Sequence, residues 1–235
     1  MILAINTSTR EFGVAILGED GSLAAEYLAS EGEGHFGGLM PAIDFIFSSS
    51  RFTLKDVKAV AVAIGPGSFT GLRVGLAAAK GFCHSLGIPI IGVPSLKALA
   101  SQVPFSNFHI VPILDSRRGE LFTARFILAK DNSLVRERDD VSLRIEDFPS
   151  MLTGGPTLFI GNNFVVQGPL IRSVLGPEFL PVPAHYWNLR ASSVGALAIK
   201  RFHAQDFDDL QYLDPIYLRG ADIRPNPFSV PPDSD

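Results

Sequence analysis

The stretch "AVAIGPGSFTGLRVGLAAAKGF", residues 61–82, has the layout of a phosphate-binding loop: an apolar run, a glycine-rich turn, then a helical pattern. Three motif templates share that layout, and each fails here. A Walker A loop requires G-x-x-x-x-G-K-[ST], with the lysine reaching the terminal phosphates and the hydroxyl holding magnesium. Gly67 and Gly71 have three residues between them, and Leu72-Arg73 stands where Lys-Ser/Thr belongs. The dinucleotide fingerprint G-x-G-x-x-G finds Gly65 and Gly67 but meets Thr70 at its third glycine. The next strand, "IPIIGVPS", ends without the acidic residue that would hold a ribose. A G-x-S-x-G nucleophile elbow fails because Phe69-Thr70 follows Ser68. What stays is physical. Gly65 and Gly67 permit backbone angles closed to other residues, Pro66 stiffens the turn, and Ser68 or Thr70 can cap the helix. The amides at that helix start either take an anion or are capped from within the chain.

The helix predicted over residues 70–86, closed by Gly87 as a left-handed cap, carries more information than the loop. At about 100° per residue, Arg73, Lys80 and His84 fall within roughly 40° of one another. Gly71, Gly75, Ala79 and Cys83 form a row of small side chains on a different bearing, and Leu72, Val74, Leu76, Ala78, Phe82 and Leu86 fill most of the rest. A helix lying on one sheet needs an apolar stripe of only ~100°. This one is apolar over most of its circumference, which predicts burial on two sides. Either it is sandwiched within the chain or it meets another subunit.

Outward from this segment the chain reads as α/β. "ILAINTST", "FGVAILGEDG" and "SLAAEYLA" are short strands with Asp20-Gly21 as a turn, followed by the glycine-rich "SEGEGHFGGL" and a helix from about Met40 to Ser49. "TLKD" is a capped turn; "VKAVAVAIG" and "IPIIGV" are strands buried on both faces; "SLKALASQV" is a helix. This makes one lobe, residues 1–103, a mixed sheet covered by helices. A Pro/Ser/Asn junction opens a second lobe, 104–220, with the hairpin "HIVPILDSRRGELFTARFIL", the charged edge strand "LVRERDDVSLR", the strand "PTLFIGNNF", the short helix "GPLIRSVLG", and the helix "ASSVGALAIKRFHAQ" capped by Ser192 or Ser193. That last helix is free to pack back on the first lobe. The second half repeats strands followed by helices but has no glycine loop, so the pattern supports a repeat only weakly. The proline-rich end, 221–235, is expected to be a disordered tail.

Composition excludes several functions. The 235 residues are 46% hydrophobic and 19% charged, with a net charge of −4 and no run approaching the ~20 apolar residues of a membrane span. No basic footprint suits direct grip on nucleic acid, and Arg117-Arg118 reads as a solvated turn. The start lacks a signal-peptide pattern and the single Cys83 forms no internal disulfide, which together predict cytoplasmic residence. The five histidines, His35, His84, His109, His185 and His203, include no helical metal pair. His35, in a glycine-rich loop, is the histidine best placed for function. Cys83 stands near Lys80 and His84, which would lower its pKa, although a small buried thiol suits the glycine/alanine row better. Asp115 ends a buried strand, where α/β ligand sites lie, or caps its turn. Asn6, Thr7 and Ser8 close the first strand with an amide and hydroxyls. With Gly65, Gly67 and Ser68 they are the candidate anion or nucleotide contacts. No acid–base pair, triad or metal set meets its geometric requirements, so no catalytic or metal residue is assigned.

The assembled segments resemble the TsaB (YeaZ) family, bacterial members of the ASKHA superfamily once grouped with glycoproteases, over nearly the whole chain. "ILAINTST" is similar to the family's first strand, "GPGSFTGLRVGLAAAKGF" to its most diagnostic segment, "GIPIIGVPSLKALA" to the family's next strand and helix, "ILDSRRGELFTARF" to the second-lobe hairpin and "LDPIYLR" to the near-terminal signature. "HFGGLMP" keeps the histidine, leucine and proline of a family loop and departs between them. The resemblance implies two ASKHA lobes and a non-catalytic subunit. Its partner is the homologous TsaD, which carries metal and chemistry; with the ATPase TsaE they install threonylcarbamoyl on a tRNA adenosine beside the anticodon. It implies homodimers when the chain is alone, and tRNA contact only through the complex. Where TsaD-like proteins supply two metal-binding histidines, this chain has Ser95 and Leu99, and Asn6 replaces the usual aspartate of the first strand. ATP or ADP binding therefore rests on fold analogy alone, and no cofactor is expected.

In the family the helix after GPGSFTGLRVG contributes to pairing, which favours the interface over the sandwiched helix. The expected contacts are Gly71, Leu72, Gly75, Leu76, Ala78, Ala79, Phe82 and Cys83, with Gly75→Leu or Ala79→Leu abolishing pairing in a folded monomer. The alternatives are a stand-alone ATP-binding kinase or hydrolase of the ASKHA class and, with no nucleophile to support it, a peptidase.

Overall fold

Strand β4 (Ala59–Gly65) alternates alanine with valine, and the alternation decides what lies on each face of its sheet. Successive strand side chains point to opposite faces. Ala59, Ala61 and Ala63 turn to one side with Ala4 of β1 (Ile2–Asn6) and Ala15 of β2 (Phe12–Leu17). Val60 and Val62 turn to the other with Leu3, Ile5, Val14 and Ile16. The alanine side lets helix α5 (Ala191–His203) lie close: a Cβ on Gly195 would overlap Leu17 and crowd Ala4. The valine side takes α1 (Leu39–Ser48) and α2 (Phe69–Leu86).

The computed structural model describes residues 1–29, 35–116, 119–152, 154–162 and 164–218. With β3 (Leu23–Ala29) and β5 (Ile90–Pro94), the first sheet has the order β3-β2-β1-β4-β5. Its first three strands form an antiparallel meander, and β4 and β5 run parallel to β1. The second sheet contains β6 (His109–Asp115), β7 (Glu120–Leu128), β8 (Leu134–Arg144), β9 (Thr157–Gly161) and β10 (Leu180–Pro181), in the order β10-β9-β6-β7-β8. Read from β8, this is the first sheet's order and its pattern of antiparallel and parallel pairs. The fold is α/β with one plan used twice, which the sequence only hinted at because the second copy replaces the GPGS loop with "GNN".

Helices α3 (Ser95–Ala100) and α5 lie between the sheets, and α3 touches strands of both. One core joins them: Ala4, Ala61 and Ile91 of the first sheet, Leu96 and Leu99 of α3, Val194 and Ala198 of α5, and Ile110, Phe126 and Ile160 of the second sheet. Helix α4 (Phe164–Leu175) and the 3-10 turn at Ile145–Met151 cover the second sheet's outer face.

Two sequence expectations move. Helix α4 starts at Phe164 rather than at the "GP" dipeptide, carrying Pro169 in its interior. The carbonyl that Pro169 cannot satisfy belongs to Val165, a residue on the exposed side of the helix (79% exposed). Helix α5 is capped neither by Ser192 nor by Ser193: its N-cap residue is Arg190, and the Glu26 carboxylate on β3 accepts the Ser192 amide at 2.9 Å. An anion at a helix start stabilises the orphan amides and the dipole, and this one comes from 166 residues away.

Candidate functional site

Parallel strands β1 and β4 end side by side, and the two loops that leave them, "NTST" and "GPGS", are bonded to each other. The Asn6 amide donates to Leu189 O at 2.8 Å and to Thr9 Oγ1 at 3.3 Å. Asn6 Oδ1 accepts from the Ser8 amide at 3.0 Å and the Ser8 hydroxyl at 2.7 Å. Thr7 Oγ1 donates to Gly71 O at 2.7 Å, and the Ser68 amide donates to Ser8 O at 2.7 Å. Gly65 N donates to Ser95 Oγ at 3.1 Å. Ser68 caps α2 by accepting from the Gly71 amide at 3.2 Å. A Cβ on Gly67 would overlap Ser8 O, so the loops leave no room between them for even a methyl group. Of the candidate anion contacts, Asn6, Thr7 and Ser8 are buried, and the groups named above all have protein partners.

The small row of α2 faces inward. Gly71, Leu72, Gly75, Leu76, Ala79 and Cys83 are buried, and a Cβ on Gly75 would overlap Thr7 Oγ1. These residues stand at the expected subunit contact in the sequence; in the structure they meet the chain's own Thr7 side chain, just past the end of β1. Of the expected set only Ala78 and Phe82 are half-exposed. Gly75→Leu and Ala79→Leu therefore strike the core, not a docking face. The open side of α2 carries Thr70, Arg73, Ala77, Gly81, His84 and Ser85, flanked by half-buried Val74, Ala78 and Phe82. A Cβ on Gly81 would meet nothing within 4 Å. Helix α1, on the same face of the sheet, exposes Met40 and Phe45. The missed signal was the basic row: Arg73, Lys80 and His84 centre roughly 140° from the small row and mark the water side.

A second feature escaped the sequence reading. After α5 the chain turns back along β5, the edge of the first sheet. Asp208 N donates to Ile90 O at 3.1 Å, and Gly92 N donates to Asp208 Oδ2 at 2.6 Å. Arg201 clamps the turn, donating to Asp206 at 2.8 Å, Asp208 at 3.0 Å and Gly92 O at 3.1 Å. Asp206, with Asp208, raises the guanidinium's pKa further, and Arg201 in turn holds Asp206 below the usual carboxylate range. The strap continues over Leu210 and Leu213, which pack on the α1/α2 core. Ile216 N donates to Ile64 O at 2.7 Å, and Tyr217 stacks on Phe69 with ring centroids 5.1 Å apart. Arg73 lies 3.8 Å over the Phe69 ring and donates to the Tyr217 hydroxyl at 3.1 Å.

The remaining candidates separate. Burial pushes the Cys83 thiol up to about 11, with Sγ donating to Pro89 O at 3.4 Å, so no low-pKa thiol is present. Asp115 accepts from Gln167 Nε2 on α4. His109 pairs with Glu137 at 2.6 Å beside buried Arg125. Ser95 serves the glycine loop and Leu99 the shared core. His35 opens a 3-10 turn ahead of α1; Arg117-Arg118 and the tail from 221 lie outside the described residues. Among the described residues no His/Cys/Asp/Glu group stands ready to hold a metal, and no helix is long and apolar enough to cross a membrane.

Two five-stranded mixed sheets of one order, with helices between and outside them, place the chain in the two-lobed, actin-like ASKHA class of α/β proteins. The solved structure of YeaZ from Pseudomonas aeruginosa superposes with a TM-score of 0.77 at 20% identity, covering 92% of this chain and 99% of that one. The activator of 2-hydroxyisocaproyl-CoA dehydratase from Clostridium difficile, solved with bound ADPNP, superposes at 0.51 with 9% identity over 88% and 98%. Closer in sequence is a Bacillus subtilis (strain 168) protein, "tRNA threonylcarbamoyladenosine biosynthesis protein TsaB", 34% identical over 94% of this chain and 95% of its own length. A family model described as "TsaD: tRNA N6-adenosine threonylcarbamoyltransferase" matches residues 29–156. The chain belongs to the TsaB (YeaZ) family, related through that model to TsaD.

Proposed function

We propose that this chain is a non-catalytic docking subunit in tRNA threonylcarbamoyladenosine biosynthesis. It holds a homologous TsaD-like catalytic subunit and so supports transfer of the threonylcarbamoyl group to the tRNA adenosine beside the anticodon, together with a TsaE-like ATPase. The role in the pathway rests on the names its relatives carry. The docking role rests on one observation: beside the exposed Thr70, Arg73, His84 and Ser85, the open side of α2 presents Ala77 and Gly81, a glycine whose Cβ position is empty, flanked by half-buried Val74, Ala78 and Phe82. Small side chains let a second helix approach closely, and apolar ones release water when it does. Homodimers of the free chain use the same face. The net charge of −4 supports contact with tRNA through the assembly rather than by this chain alone.

The test is calorimetric titration of a TsaD-like protein with wild type and Gly81→Glu. The substitution replaces an exposed helix glycine, so the fold is kept and gains helix propensity. The expected result is tight binding by wild type and none by the variant. Binding of Gly81→Glu at wild-type strength overturns this docking face.

A further inference from the structure

We infer that the C-terminal strap, residues 206–217, holds α2 in its docking position, so that the partner-facing surface is set by both ends of the chain. This rests on the docking reading above and adds to it a positioning element with a named contact, Tyr217 against Phe69 and Arg73.

Helix α2 is held on two flanks. On the inner one, Thr7 and Ser8 bond Gly71 O and the Ser68 amide. On the outer one, the arginine and lysine of α2, Arg73 and Lys80, donate to the strap: Arg73 to the Tyr217 hydroxyl and Lys80 to Gln211 O at 3.4 Å. The strap also has anchors other than α2: Arg201 on α5, Asp208 on the edge of β5, and Ile216 on Ile64 near the end of β4. Ile216 O occupies the space a Cβ on Gly65 would need, so the strap reaches the root of the glycine loop. A guanidinium lying over the Phe69 ring and hydrogen-bonded to the hydroxyl of Tyr217, whose own ring packs on Phe69, is a stiff joint, since ring packing and cation–π attraction both fix its orientation. Stiffness matters for this face in particular. Alanine and glycine have no rotamers with which to adapt to a partner, so close approach requires α2 to be placed beforehand; preorganisation of this kind acts by lowering the ordering cost of binding.

The experiment uses the full-length chain, a TsaD-like partner and two readouts: the dissociation constant, and amide hydrogen exchange along residues 69–77. Tyr217→Ala is expected to speed exchange in that segment about tenfold, leave exchange in β1 and β4 unchanged, and raise Kd about tenfold. Tyr217→Phe, which keeps the ring on Phe69, is expected to stay within about threefold of wild type in both. Arg73→Gln, at an exposed position that does not threaten the fold, is expected to raise Kd several-fold. Wild-type Kd in Tyr217→Ala overturns the inference, with or without faster exchange. Weaker binding with unchanged exchange also overturns it, because Tyr217 would then be a contact and not a brace. Failure of the wild-type chain to bind removes the docking reading itself, whereas a strap that fails alone leaves wild-type binding intact.

Discussion

Replacing Asn6 by aspartate changes one atom in a site with no solvent exposure, and its cost can be worked from four hydrogen bonds. Oδ1 keeps its two donors, the Ser8 amide and hydroxyl. The other position now holds an oxygen 2.8 Å from Leu189 O, where the amide had donated. If the carboxyl ionises, two acceptors face each other in the core. If it stays neutral, its hydroxyl donates to Leu189 O as the amide did, and the cost becomes that of protonation at the working pH. Burial and the facing carbonyl both raise the folded-state pKa above the unfolded aspartate value near 3.9. A rise of two pH units corresponds to about 2.7 kcal/mol, similar to the about 1–3 kcal/mol of a buried group left unsatisfied. The sign comes from linkage: the native state binds the extra proton, so the deficit is absent below about pH 3.9 and grows as pH rises toward the folded pKa. For a chain of this size, 1 kcal/mol moves Tm by about 2–4 °C, so Asn6→Asp is expected to melt about 5–11 °C below wild type at pH 7. At pH 4 the deficit falls to about 0.5 kcal/mol, and the gap should close to about 1–2 °C. Thermal melts of both proteins across that range are the assay. An equal Tm at pH 7, or a gap that fails to shrink on acidification, refutes the description of Asn6 as a buried donor to Leu189 O.

Other substitutions probe the two sides of α2. Gly75→Ala places a methyl on Thr7 Oγ1 and breaks its bond to Gly71; a loss of about 1–3 kcal/mol is expected in chemical denaturation, whereas Gly81→Glu should leave the midpoint unchanged or slightly raised. Cys83, its thiol pushed up to about 11 by burial, should resist iodoacetamide at pH 8 in the native state and react in denaturant; rapid native labelling contradicts its placement. Arg201→Ala removes the clamp on Asp206, Asp208 and Gly92, and faster amide exchange at Gly92 and Asp208 should result while that of β1 holds.

Much of the fold was written in short-range pattern. The Ala/Val alternation of "AVAVA", the Ser68 cap, Gly87 at φ 64° and the charged edge strand "LVRERDDVSLR" are local signals that the structure keeps. What stayed hidden depends on residues far apart. A helical wheel shows that α2 has two apolar sides but not which one meets Thr7, because that is decided by how β1 ends. The cap of α5 comes from β3, and the open edge of β5 is bonded by a strap 116 residues downstream of Gly92 rather than by a further strand. The polar loop residues Asn6, Thr7, Ser8, Gly65, Gly67 and Ser68 were legible as a cluster, since strand ends gather such groups. That they bond one another requires distances no spacing rule supplies.

The docking role as a whole is tested most directly by reconstituting threonylcarbamoylation of tRNA from a TsaD-like protein and a TsaE-like ATPase, with and without this chain. The account predicts that modification appears with wild type and is lost both on omission and with Gly81→Glu. Modification that proceeds unchanged without the chain would contradict it.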